Sequence, residues 1–225
     1  CIRDRTQREN RDTSCLWVVD PLDGSYNFQH GNPTFAISIS LLIDNIITVG
    51  VVYLPLQKEM FTAIRGYGAQ LNGYPIYVSS TSTLNESIIH VGDFAKDGNT
   101  RENKEQIDDI AHLADAVGRV RMIGTAATDL AYVACGRADA LILHNALPWD
   151  IAVGCLLVAE ARGNVVFLES ASGGSMVVCS NGHVHQELLK VINNKITYND
   201  EYAYCEYGSF PGMRTERTFS DLYQH

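Results

Sequence analysis

An α+β fold is predicted by two rhythms along the chain. In the first half, β runs follow one another across short turns, the pattern of an antiparallel meander. From residue 88 onward, short strands alternate with helix-length segments, which argues for helices layered on a sheet. The chain has 225 residues, 46% hydrophobic and 19% charged, enough to bury one substantial core.

The elements follow in order. Leu16-Trp17-Val18-Val19 is a buried-strand signature, and a loop dense in Asp, Gly, Asn and Pro spans Asp20–Pro33. Thr34–Ile43 and Ile46–Leu54 are strong β runs, with Asp44-Asn45 between them as a hairpin turn. Glu59–Ala63 and Ala69–Val78 extend the meander, punctuated by Gly66, Gly68 and Gly73. Ile88–Val91 reads as a strand, Arg101–Val117 as an amphipathic helix and Arg119–Met122 as another strand. Thr125 caps a helix to Cys135, stopped at Gly136, and Ala138–Leu143 returns as a strand. Pro148 opens a helix that runs to about Ala161 and ends before Gly163. Val165–Leu168 and Val177–Cys179 are short strands, and His183–Ile192 is a final helix.

This core, residues 15–193, is flanked by two atypical segments. Residues 1–14 are polar, Arg-rich and aperiodic. Because a compact domain seldom begins on a central strand, an element upstream of Cys1 is expected. Residues 194–225 hold five of the eleven tyrosines without clear periodicity and read as an appendage.

Charge and cysteine usage narrow the function classes. With 17 Lys and Arg against 26 Asp and Glu, the net charge of −9 lacks the basic footprint for nucleic acid or an anionic membrane. The longest apolar runs are strand-length, well short of a membrane span. Six Cys show no CxxC or metal-finger spacing, and Cys135, Cys155 and Cys179 sit in apolar runs. Buried free thiols point to a reducing, cytoplasmic setting.

Chemistry concentrates where the first strand meets its loop, at Asp20-Pro21-Leu22-Asp23-Gly24-Ser25. Pro21 holds Asp20 extended, and the turn brings Asp23 back beside it. Two carboxylates and a turn carbonyl make an all-oxygen nest for a hard cation, Mg²⁺ or Ca²⁺, rather than Zn²⁺. Ser25 starts a short helix whose N–H groups and hydroxyl point at an anion such as phosphate. The bland alternative is a solvated Pro-x-Asp-Gly turn.

Asp150, in the first turn of its helix, reads as a helix-start acid or, paired with the turn, as a third carboxylate of a binuclear site. Glu160, ten residues on, reads as structural. Gly124-Thr125-Ala126-Ala127 is an ordinary N-cap or a place where a ligand approaches the backbone closely. His30 reads as solvated, and His144 is expected to face the same cleft as Asp150. Ser25 has no Ser-His-Asp pattern around it, so acyl transfer is unsupported.

The Asp20-Pro21-Leu22-Asp23-Gly24-Ser25-Tyr26-Asn27-Phe28 run resembles the first signature of the inositol monophosphatase family, the magnesium-dependent, lithium-sensitive phosphatases. Trp149-Asp150-Ile-Ala-Val-Gly154 with Glu160-Ala161 resembles the second. Gly66–Gly73 and Gly124–Ala127 match further blocks in the right order. The resemblance implies a layered α-β-α-β sandwich, usually a homodimer, acting on a small phosphate ester. It implies that Asp20, Asp23, Asp150 and the Leu22 carbonyl bind two or three Mg²⁺ ions. Gly24 and Ser25 would hold the phosphate, and Gly124, Thr125, Ala126 and Asp150 the substrate's hydroxyls. The catalytic set so implied is Asp20, Asp23, Ser25 and Asp150.

This sequence departs from the family at two places. The family's upstream Gly-Glu-Glu motif and an earlier aspartate would fall before Cys1, as would its first helices. The acid that inositol-preferring relatives carry shortly before Trp-Asp is replaced by Leu143 and His144. The expected reaction is hydrolysis of a polyol or sugar phosphate monoester, inositol 1-phosphate first. Fructose 1,6-bisphosphate and a nucleotide 3′-phosphate are the alternative substrates, and a non-catalytic binding protein is the alternative of another class.

Overall fold

Alternation of buried and half-buried residues along one strand sets the inner face of the first sheet. In β2 (Ala36–Ile43), Ala36, Ser38, Ser40 and Leu42 are buried while the residues between them are not. The computed structural model describes residues 15–192 except 45, 96–99, 147 and 170–174. The N-terminal segment and the tyrosine-rich stretch therefore lie outside the described residues.

The first sheet is a meander of β1 (Cys15–Asp23), β2, β3 (Ile46–Leu54), β4 (Glu59–Ile64), β5 (Gly68–Leu71) and β6 (Tyr74–Ile76). Each strand is antiparallel to the next. Pairing of Ile43 with Ile46 leaves a two-residue turn, and Asp44 takes the positive φ of 50° that such a turn demands. Asn72 and Gly73 make the same kind of turn between β5 and β6.

One expectation is corrected. The loop assigned to Asp20–Pro33 begins later, because β1 pairs with β2 through Asp23. The acidic turn is a β-bulge: Asp20 faces Ser38 and Asp23 faces Ala36, three steps on β1 against two on β2. Pro21, with no N–H to donate, fits a bulge on a strand at the end of the sheet.

After α1 (Ser25–Gln29) and the meander come β7 (Ile88–Val91), α2 (Thr100–Ala116), β8 (Arg119–Arg121) and α3 (Ala126–Ala134). Then follow β9 (Ala140–His144), α4 (Pro148–Glu160), β10 (Asn164–Glu169), β11 (Ser175–Ser180) and α5 (His185–Ile192). The second sheet runs β10-β11-β9-β7-β8. β7 is parallel to β8 and β9; the other pairs are antiparallel.

Two apolar clusters define the layers. One joins the first sheet to α3 and α4 and to the inner face of the second sheet, with Leu42, Phe61, Leu130, Leu141, Leu157 and Val177 fully buried. The other joins the outer face of the second sheet to α2 and α5 through Ile89, Leu113, Ile142, Val178 and Leu188. The order is α-β-α-β, as the resemblance implied.

Glycines let α4 sit close on both sides. A Cβ at Gly50 would lie 2.8 Å from Cγ1 of Val153, and one at Gly154 would overlap the Leu130 side chain. Among the described residues, Cys15, Cys135, Cys155 and Cys179 are free thiols. No helix among them is long and apolar enough to cross a membrane.

Candidate active site

The bulge puts two carboxylates on one face. Partners in an antiparallel pair project to the same side, and both Ser38 and Ala36 point inward. Without the extra residue, Asp23 would point outward. Asp20 Oδ1 accepts the backbone N–H of Leu22 at 3.1 Å, which tightens the turn.

Asp23 is held from the other half of the chain. Its Oδ2 accepts the Thr125 hydroxyl at 2.6 Å and the Ala127 amide at 2.7 Å. Both donors belong to the first turn of α3, where Thr125 is the N-cap and the helix dipole favours an anion. Burial pushes the Asp23 carboxyl above its ordinary value; the bonds from Thr125 and Ala127 pull it back, and Asp20 adds to the push. The net direction is upward.

Gly24 is left-handed, with φ of 83°, and a Cβ there would stand 3.1 Å from Thr125 Cβ and 3.2 Å from the Thr34 carbonyl. Its freedom lets α1 begin at Ser25, directly after the glycine. Asn27, one turn on, donates through Nδ2 to the carbonyls of Thr34 (2.8 Å) and Ile123 (2.7 Å). Gly124 is thereby fixed against α1, also at positive φ. A Cβ there would meet the Asn27 amide at 3.3 Å and Oδ2 of Asp93 at 3.5 Å. Ala126 follows as the first residue of α3, half-buried.

Asp150 occupies the first turn of α4 and is half-buried, while the helix packs on α3 and along the first sheet. Glu160 closes the far end, accepting the amides of Gly66 (2.7 Å) and Gly68 (2.8 Å). Its role is structural, as expected, and it joins two of the sequence blocks far from the bulge. His30 is exposed, with Nδ1 2.8 Å from the Tyr26 carbonyl. His144 corrects an expectation. It bonds Asp109 of α2 through Nε2 at 2.9 Å, on the side of β9 that faces α2, because alternation along β9 turns Leu143 inward instead. Among the described residues, no three His, Cys, Asp or Glu side chains gather into a ready metal cage.

A model of the inositol monophosphatase family matches residues 2–197. The chain belongs to that family. It is 38% identical over 195 residues to an inositol-1-monophosphatase of Synechocystis, an alignment covering 85% of this chain and 67% of that protein. It superposes on the inositol monophosphatase of Anabaena with a TM-score of 0.74 at 37% identity, covering 86% of this chain and 77% of the other. A more distant neighbour, an IMPase/NADP phosphatase complexed with NADP and Ca²⁺, aligns at TM-score 0.67 and 26% identity over 83% of this chain and 72% of the other. The chain spans about two thirds of the length of the curated relatives it matches.

As an inositol monophosphatase family member, the chain carries the fold of phosphoric monoester hydrolases. Within it, sequence reasoning missed two residues of this junction. Asn27 was legible as a polar side chain one turn into a helix that begins on a glycine. Asp93 follows Gly92 directly beyond the C-terminal end of a parallel strand, where open sheets present ligand-facing loops.

Proposed function

We propose that the protein hydrolyses a small polyol or sugar phosphate monoester, inositol 1-phosphate foremost, with Mg²⁺ as cofactor. The observation that carries the reading is the single oxygen of Asp23 shared by Thr125 and Ala127. It joins the acidic bulge to the small-residue start of α3, which sets carboxylates beside a backbone a substrate can approach.

The donor set fits a hard divalent cation. Asp20, Asp23, Asp150 and the Leu22 carbonyl offer oxygen only, with no thiolate or imidazole among them. Burial and the neighbouring Asp20 both raise the proton affinity of Asp23, a strain that positive charge relieves.

These four residues would hold the metal. When bound, Mg²⁺ supplies charge neutralisation at the phosphate oxygens, a more acidic water and a stabilised leaving alkoxide. The amides of Gly24 and Ser25 and the Ser25 hydroxyl donate to the phosphate. Gly124, Thr125 and Ala126 orient the substrate's hydroxyls, and Asn27 holds Gly124 in place for them. A cytoplasmic homodimer inhibited by Li⁺ completes the reading.

The test is phosphate release with Mg²⁺ from inositol 1-phosphate, fructose 1,6-bisphosphate and 3′-phosphoadenosine 5′-phosphate, using the product of the complete gene. Inositol 1-phosphate should be the best of the three, and Asp20→Asn or Asp150→Asn should abolish turnover. Turnover retained in those variants would end the metal-site reading. A folded protein that turns over none of the three would favour a binding protein.

A further inference from the structure

The backbone of the loop after β7 is fixed on both sides of one acidic residue. Gly92 extends the β7–β9 ladder, its amide donating to the Ile142 carbonyl at 3.0 Å, while its own carbonyl accepts Nε2 of the buried Gln106 from α2. Three residues on, Asn103 of α2 clasps the Ala95 backbone twice: Oδ1 takes its amide at 2.8 Å and Nδ2 donates to its carbonyl at 3.0 Å. Between these clamps stands Asp93, exposed, with Oδ2 3.5 Å from the place a Gly124 Cβ would take.

Nothing structural uses this carboxylate. Among the described residues Asp93 has no hydrogen-bond or ion-pair partner. The end of the adjacent strand supplies no acid: Leu143 lies over Gly92, and His144 is turned away to Asp109. An anion on a backbone fixed at both sides, beside the glycine proposed to face the substrate, has two consequences. It accepts strong, charge-assisted hydrogen bonds from neutral hydroxyls, and it repels a second anionic group.

We infer that Asp93 is a specificity-determining residue of the site, accepting hydrogen bonds from substrate hydroxyls beside Gly124 and disfavouring a second phosphate there. The inference rests on the polyol-phosphate reading above. It assigns recognition of the leaving group to β7 rather than to β9 and selects for monophosphates of neutral polyols.

Asp93→Asn and Asp93→Ser test it in the product of the complete gene. Each should lower the ratio of kcat/KM for inositol 1-phosphate to that for p-nitrophenyl phosphate, which has no hydroxyls to offer, by about tenfold. The preference for inositol 1-phosphate over fructose 1,6-bisphosphate should shrink in the same variants. Equal losses on all three substrates would overturn the inference, as would a tenfold rise in the Mg²⁺ concentration needed for half-maximal rate, which would make Asp93 a metal ligand. A wild-type protein inactive on every polyol phosphate would instead remove the parent reading, and this one with it.

Discussion

Asp23 and Thr125, 102 residues apart, meet through a 2.6 Å hydrogen bond in which the threonine hydroxyl donates to Oδ2. The same hydroxyl oxygen caps α3 by accepting the Thr128 amide at 3.4 Å. One side chain therefore starts a helix and aims a carboxylate. Thr125→Val should lose the cap, about 1 kcal/mol of stability, and lower kcat by about tenfold or more as Asp23 loses its alignment. Thr125→Ser keeps the hydroxyl and should restore most of both. Thermal melts and steady-state kinetics on the pair give the answer; a fully active valine variant would show that Thr125 does not position Asp23.

Gly154 permits the contact between α4 and α3, since any Cβ there would run into Leu130. Gly154→Ala should cost about 1–3 kcal/mol through overpacking, despite the better helix propensity of alanine. Denaturant unfolding reads the cost, and an unchanged midpoint would mean that the two helices slide apart freely.

Glu160 offers a contrast in which stability and chemistry separate. Glu160→Gln turns one acceptor oxygen into a donor that faces an amide of the Gly66–Gly68 turn. The expected loss is about 1–2 kcal/mol, with kcat for inositol 1-phosphate unchanged. A fall in kcat at full saturation would give the carboxylate a role beyond the clasp.

His185 sets a pH dependence whose sign is determined. Its Nδ1 lies 2.7 Å from the Ser180 hydroxyl, and burial lowers its pKa below the ordinary 6.5. Between the lowered value and 6.5 the unfolded chain binds more protons than the folded one, so stability rises with pH there. The contribution is present in full above pH 6.5 and is lost as pH falls toward the folded value. The drop in Tm from about pH 7.5 to about pH 5.5 should be smaller in His185→Gln than in the wild type. Parallel curves for the two proteins would contradict this.

The layered fold was legible because its periodicities are strong: the hairpin at Asp44, the capped helix at Thr125 and the Pro148 helix stand where their residues place them. The bulge was not legible. Asp-Pro-Leu-Asp-Gly has the composition of a loop, and its strand pairing comes from Ser38 and Ala36 on the far side of α1. His144 illustrates an avoidable miss, because counting alternate residues from the buried Leu141 turns it toward α2. Asp93 left little local trace; what singles it out is its approach to Gly124, thirty-one positions away in the turn before α3.

Asp150 and Glu160 lie ten residues apart on one helix, a span of about 15 Å. The Glu160 end is tied to a hairpin, and the middle is wedged between Val153 on Gly50 and Gly154 on Leu130. Such a helix is a strut held at one end and at its middle. In the role proposed for Asp150, its position is settled during folding, so the conformational entropy of placing it would not be charged against ligand affinity. By the same mechanics a side chain added at Gly50 would press on Val153 and shift the strut at its middle, detuning chemistry it never touches.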